Sequence, residues 1–92
     1  MSLRRYANKR DKSEPAIFAA LRSMGCLIYP TDKPTDALCL VRGRIHLIEC
    51  KTGKGKLTED QKDFVKLWPV WVLRSVDDAA AFVTANCSRE AA

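Results

Sequence analysis

The chain has a single histidine in 92 residues, and none of its four cysteines stands in a C-x-x-C pair. A zinc site built on spaced cysteine and histidine ligands is therefore not expected. Cys26, Cys39, Cys50 and Cys87 read instead as reduced thiols, most of them in or beside apolar strand-like runs. His46 alternates with apolar neighbours, as a packed or partly exposed strand residue does. No apolar run approaches the length that crosses a bilayer, so no membrane partner is expected. The first residues are polar and basic rather than apolar, which does not fit a secretory leader and points to a cytoplasmic protein. Repeats and low-complexity segments are absent. Acid is the scarcer charge, with 11 Asp and Glu against 16 Lys and Arg.

What is present is enough for one small α/β domain, since 47% of the residues are apolar. The net charge of +5 is unevenly placed. In residues 1–12, Arg4, Arg5, Lys9, Arg10 and Lys12 oppose only Asp11, and this stretch reads as a flexible basic arm. Lys51, Lys54 and Lys56 form a second cluster along a glycine-containing loop. Such patches attract phosphate backbones, although a solubilising tail and a solvated loop have the same composition.

Local patterns predict the order helix, strand, strand, strand, helix, strand, helix. Ser13 is the expected N-cap of a helix carrying Glu14 and Pro15 in its first turn, with Ile17, Phe18, Leu21 and Met24 at helical spacing and Gly25 as the stop. Strands are expected over 26–29, 37–41, 45–51 and 70–73. Arg42-Gly43-Arg44 reads as a tight hairpin turn. Thr58 is placed to cap the second helix, with Gln61 at the capping-box position and Leu57, Gln61, Phe64, Val65 and Trp68 on its inward face. Trp68 and Trp71 read as core. Ser75 or Asp77 can cap a last helix, the domain spans 13–86, and residues 87–92 form a frayed tail. A mixed sheet flanked by helices fits this order.

The most informative segment is Glu49-Cys50-Lys51 at the end of the apolar run Ile45-His46-Leu47-Ile48. Strand alternation sends Glu49 and Lys51 to one face. If the turn is Arg42-Gly43, hairpin counting sets Asp36 against Glu49; if it is Gly43-Arg44, Asp36 faces Lys51. Either register gathers the three side chains, and a three-residue loop would separate them. Two carboxylates at that distance repel, and a divalent cation relieves the conflict. Oxygen ligands suit Mg²⁺ or Mn²⁺, and the backbone carbonyl of Cys50 offers a third ligand. With Lys51 beside them, these groups suit attack on a phosphodiester. A surface salt bridge between Lys51 and either acid is the plainer alternative. Glu14 serves the helix dipole or reaches the metal, and Gln61 is a capping residue or a group that contacts water or phosphate near the metal.

The ordered segments Ser13-Glu14-Pro15-Ala16-Ile17, Lys33-Pro34-Thr35-Asp36-Ala37-Leu38, Arg42 to Lys51 and Leu57-Thr58-Glu59-Asp60-Gln61 resemble the stand-alone virus-type replication-repair nuclease (VRR-NUC) domains of phages and bacteria. These belong to the PD-(D/E)xK nuclease superfamily. The resemblance implies a restriction-endonuclease-like fold and a Mg²⁺- or Mn²⁺-dependent deoxyribonuclease, similar to junction resolvases, in a bacterial or phage-infected cell. It implies Glu14, Asp36 and Glu49 as metal-binding acids, Lys51 as the catalytic lysine and Gln61 as the glutamine after the third strand. It also implies a homodimer, a DNA substrate that can be branched, and no organic cofactor. Arg4, Arg5, Lys9, Arg10, Lys54 and Lys56 would track the DNA backbone. The sequence departs from the family pattern where Thr35 precedes Asp36 and Pro34 is displaced by one position. A non-catalytic nucleic-acid-binding module on the same fold, and an interaction protein with no nucleic-acid role, are the alternatives.

Overall fold

A computed structural model describes residues 11–87. Its elements are α1 (Glu14–Ser23), β1 (Leu27–Pro30), β2 (Ala37–Val41), β3 (Arg44–Cys50), α2 (Glu59–Leu67), β4 (Val70–Leu73) and α3 (Val76–Cys87). The strands form one sheet in the order β1-β2-β3-β4. The first three are antiparallel neighbours, and β4 pairs parallel to β3 after the crossover through α2. This is the expected small mixed α/β sheet with flanking helices, in the expected order.

The β2–β3 turn is the two-residue form. Val41 pairs with Arg44, leaving Arg42 at φ 50° and Gly43 at φ 81°. Positive φ at both positions is the backbone twist that continues smoothly into right-twisted strands, and glycine adopts it without strain. The turn sets the register through Ala37 opposite Ile48. Beyond that pair the ladder distorts. The Asp36 N–H donates to the Ile48 carbonyl, and the Asp36 carbonyl accepts from the Thr31 N–H at 2.7 Å.

Alternate residues Ala37, Cys39, Val41, Ile48 and Cys50 are buried under α1 and α3, which pack against each other on that face. Ile17, Phe18 and Leu21 from α1 and Ala79, Phe82 and Val83 from α3 complete the core. Phe82 receives the edges of His46 and Trp71, with ring centroids 5.2 and 4.9 Å away. His46 is half-buried, as expected of a packed strand residue, and burial followed by the charge of Arg44 lowers its pKa. Cys26, Cys39 and Cys50 are buried free thiols, and Cys87 is half-buried.

Three local expectations are corrected. Ser13 lies in helical conformation and makes no capping bond; its N–H and hydroxyl both donate to Asp11 Oδ1, at 2.9 and 2.6 Å. Asp11 thus turns the chain into α1 as an Asx-type acceptor, and it also receives the Thr52 N–H at 3.0 Å. Of the expected arm over 1–12, Asp11 and Lys12 are described, while Arg4, Arg5, Lys9 and Arg10 lie outside the described residues. The second correction concerns α2, which has no buried residue; Leu57, Gln61, Phe64 and Val65 are half-buried and Trp68 is 54% exposed. Trp68 stacks on Phe64 at 5.6 Å instead of entering the core. The third is Trp71, which edges onto the core yet remains 38% exposed. The remaining shifts are small. β1 and β3 begin and end one residue from the expected bounds, and α3 includes Cys87. Residues 88–92 lie outside the described residues.

Candidate active site

The site forms where β2 begins and β3 ends, beside the N-terminal turns of α1 and α2. Glu14 occupies the first turn of α1 and is buried, 7% exposed. Glu49, the penultimate residue of β3, is 4% exposed. Burying two carboxylates is costly unless each finds a partner, and much of the local structure is arranged around that demand.

Asp36 links the groups. Its Oδ2 accepts the Cys50 N–H at 2.7 Å. Its side chain also hydrogen-bonds the Glu49 carboxyl. Burial first, and the negative charge of Asp36 second, push the Glu49 carboxyl up to about 7, against the opposing charge of Lys51. Two carboxyls in contact disfavour double ionisation, the direction of this shift. A ligand oxygen of Glu14, one of Asp36 and the Cys50 thiol lie within 4.8 Å of one another, a grouping that can hold a metal ion. Cys50 joins through its side chain, whereas its backbone carbonyl was the expected contributor. Burial and the charges of Asp36, Glu14, Glu49 and Asp11 raise its thiol pKa, so the sulfur is neutral without a cation beside it.

Gln61 is the expected capping residue, and it also reaches Glu49. Its Oε1 accepts the Thr58 N–H at 2.8 Å, and Thr58 Oγ1 accepts the Gln61 N–H at 3.2 Å, so the capping box is complete. Its Nε2 then has one direction left, and it donates to Glu49 Oε2 at 2.7 Å. The cap of α2 therefore fixes which end of the amide faces the carboxyl. A cleft of about 380 Å³ opens beside it, lined in part by Lys33, Pro34, Gln61 and Phe64.

Lys51 is half-buried, and its main-chain N–H donates to the Leu73 carbonyl, so β4 steadies the strand end that presents it. Its charge acts on both Glu49 and Asp11. Burial raises the Asp11 pKa, but hydrogen bonds from Ser13 and Thr52 and the charge of Lys51 outweigh it and hold the carboxyl below its ordinary range. Asp11 is the residue that sequence reasoning missed. A lone acid inside a basic stretch offered a signal, but its partner Thr52 is 41 residues away.

Glu14, Asp36, Glu49, Lys51 and Gln61 are thus brought together. Lys54 and Lys56 are exposed on the loop that follows Lys51. No helix among the described residues is long and apolar enough to cross a membrane. No protein-family model, curated protein or solved structure matches this chain.

Proposed function

We propose that this chain is a metal-dependent deoxyribonuclease that hydrolyses phosphodiester bonds, of the virus-type replication-repair nuclease kind. The observation that carries the reading is the buried Glu49 carboxyl in contact with the half-buried Asp36 carboxyl, with Glu14 and Lys51 beside them and Gln61 bonded to Glu49. A surface salt bridge does not need this burial. A carboxyl pushed up to about 7 by burial first and by its acidic neighbour second is held at an electrostatic cost, and a divalent cation between the acids would relieve it. Glu14 and Asp36, which group with the Cys50 thiol, would hold Mg²⁺ or Mn²⁺, and Glu49 would join them from beside Asp36. The ion would polarise a phosphate oxygen and acidify a water.

The protein's own groups have separate tasks. Asp36, held by the Cys50 N–H, keeps the acids at the strand ends. Gln61 holds the Glu49 carboxyl in one orientation. Lys51 presents a cation where charge accumulates on the attacked phosphate and its incoming oxygen. The Lys54 and Lys56 loop follows the sugar-phosphate backbone without reading bases.

The partner for a two-fold arrangement is a second copy of this chain, and branched DNA is the substrate such a pair would suit. The test is cleavage of linear, flapped and four-way DNA with Mg²⁺ or Mn²⁺. Wild type should cut, and Lys51→Ala should lose at least about 100-fold in rate while binding DNA within a few-fold of wild type. A chain that binds every substrate but cuts none would be a binding module, and the catalytic assignment would fall.

A further inference from the structure

The segment that leaves the active site is held by a cation whose role nothing above requires. Arg74 follows β4 and is half-buried. Its Nη1 donates to the carbonyls of Gly55 at 2.6 Å and Thr52 at 3.0 Å, with the Gly53 carbonyl at 3.5 Å. Its own N–H donates to Asp78 Oδ2 at 2.8 Å, and the Asp78 N–H donates to Ser75 Oγ at 3.0 Å, so the start of α3 anchors the arginine. The loop's other ties are Thr52 N–H to Asp11 and Gly55 N–H to the Thr52 carbonyl at 2.8 Å.

Carbonyls from three loop residues therefore converge on one guanidinium nitrogen. Among the described residues, no hydrogen bond uses the N–H of Gly53, Lys54 or Lys56. Lys54 and Lys56 are exposed. A loop with its carbonyls drawn to an internal cation, and its amides and ammonium groups left over, is chemically suited to an anion. We infer that Arg74 is a positioning residue that shapes residues 52–56 into a phosphate-binding loop for the DNA backbone next to the active site. This rests on the nuclease reading for the identity of the polyanion, and it goes further by assigning the loop's shape to the residue that follows β4.

Two features make the inference testable apart from charge. Gly55 is tight, because a Cβ there would lie 3.0 Å from Thr52 Oγ1 and 3.4 Å from the Thr52 carbonyl oxygen. Gly53 is open, with nothing within 4 Å of a Cβ. Neither change alters net charge.

The experiment measures affinity of the full chain for a fluorescent 20-base-pair duplex in EDTA, so that no cleavage intervenes, across a salt series. In the wild-type background, K54A/K56A should reduce the log–log salt slope by about 2 and affinity about 10-fold, as expected for two lost phosphate contacts. In an Arg74→Gln background, the same pair of changes should cost only about 2-fold, because the lysines no longer act from a shaped loop. Gly55→Ala should weaken binding several-fold, and Gly53→Ala, whose Cβ meets no atom within 4 Å, should weaken it less. Amide NMR shifts of Gly53 and Lys56 on titration with the duplex supply a readout that needs no arginine variant. Shifts at both amides support the inference, and their absence on saturation overturns it. Equal losses in the two backgrounds would overturn it while leaving the nuclease reading intact. Wild-type affinity that ignores salt would instead remove DNA as the ligand and take both readings with it.

Discussion

Glu49 is the residue on which both stability and chemistry turn. Its folded-state value of about 7 lies above the ordinary 4.5. Between those values the folded chain holds a proton that the unfolded chain has released. The contribution is therefore fully present below about pH 4.5 and is lost as pH rises through about 7, at a cost of roughly 3 kcal/mol. Urea unfolding of the metal-free chain from pH 4.5 to 8 should show this decline, and Glu49→Gln should flatten it. A slope that is the same in the variant would assign the titration to another group. The proposed site takes Mn²⁺ on the ionised acids, so on that proposal Mn²⁺ at pH 8 should restore about 2.7 kcal/mol at a hundredfold excess over its dissociation constant. Asp36→Ala should abolish that rescue, which melting curves with and without Mn²⁺ would detect.

At the scale of elements, the weakest-held part of the site is α2. It buries no residue of its own, and short helices with little packing depend on their caps. Thr58→Ala should cost about 1 kcal/mol and also release the Gln61 amide from its fixed orientation toward Glu49. The expected signature is a lower kcat with little change in DNA affinity, reversed by Thr58→Ser; a variant with unaltered kcat would show that the cap has no part in the chemistry. The capping box was legible because both of its halves lie within one four-residue window, whereas the β2–β3 register was legible only to within two turns, of which Arg42-Gly43 is the one that forms. The inward face of α2 was not. Its apolar spacing is helical, but spacing does not reveal whether the sheet beneath has room, and Trp68 found Phe64 instead. Asp11 was illegible for a related reason, since its bond to Thr52 depends on how α1 docks rather than on any local pattern. The Cys50 thiol was legible as buried, but its nearness to Glu14 required the packing of α1 against the sheet.

At the scale of the whole molecule, the described residues cover only one face of the sheet well. On the other, Leu27, Tyr29, Leu38, Leu40 and Ile45 line an open groove of about 360 Å³. Leu27, Tyr29 and Ile45 are each about two-thirds exposed, at 65%, 69% and 68%. No charged side chain lines this groove, although the chain carries a net +5. Apolar surface of this kind is unusual on a monomer, and a polyanion gains nothing from it. Two basic chains repel wherever their charged surfaces meet, so an uncharged patch is where a second copy can approach at least cost. A two-fold axis through this patch would place like residues against like, as an isologous contact requires. Ile45→Lys puts a charge at the patch and, across the axis, opposite its own copy. Sedimentation of the wild type at micromolar concentration should give a dimer, and Ile45→Lys a folded monomer with an unchanged circular dichroism spectrum. The monomer should still cut linear DNA, because Asp36, Glu49 and Lys51 all come from one chain, but it should lose paired cleavage of four-way DNA. A wild type that sediments as a monomer would remove the self-association proposal while leaving the chemistry of the single site untouched.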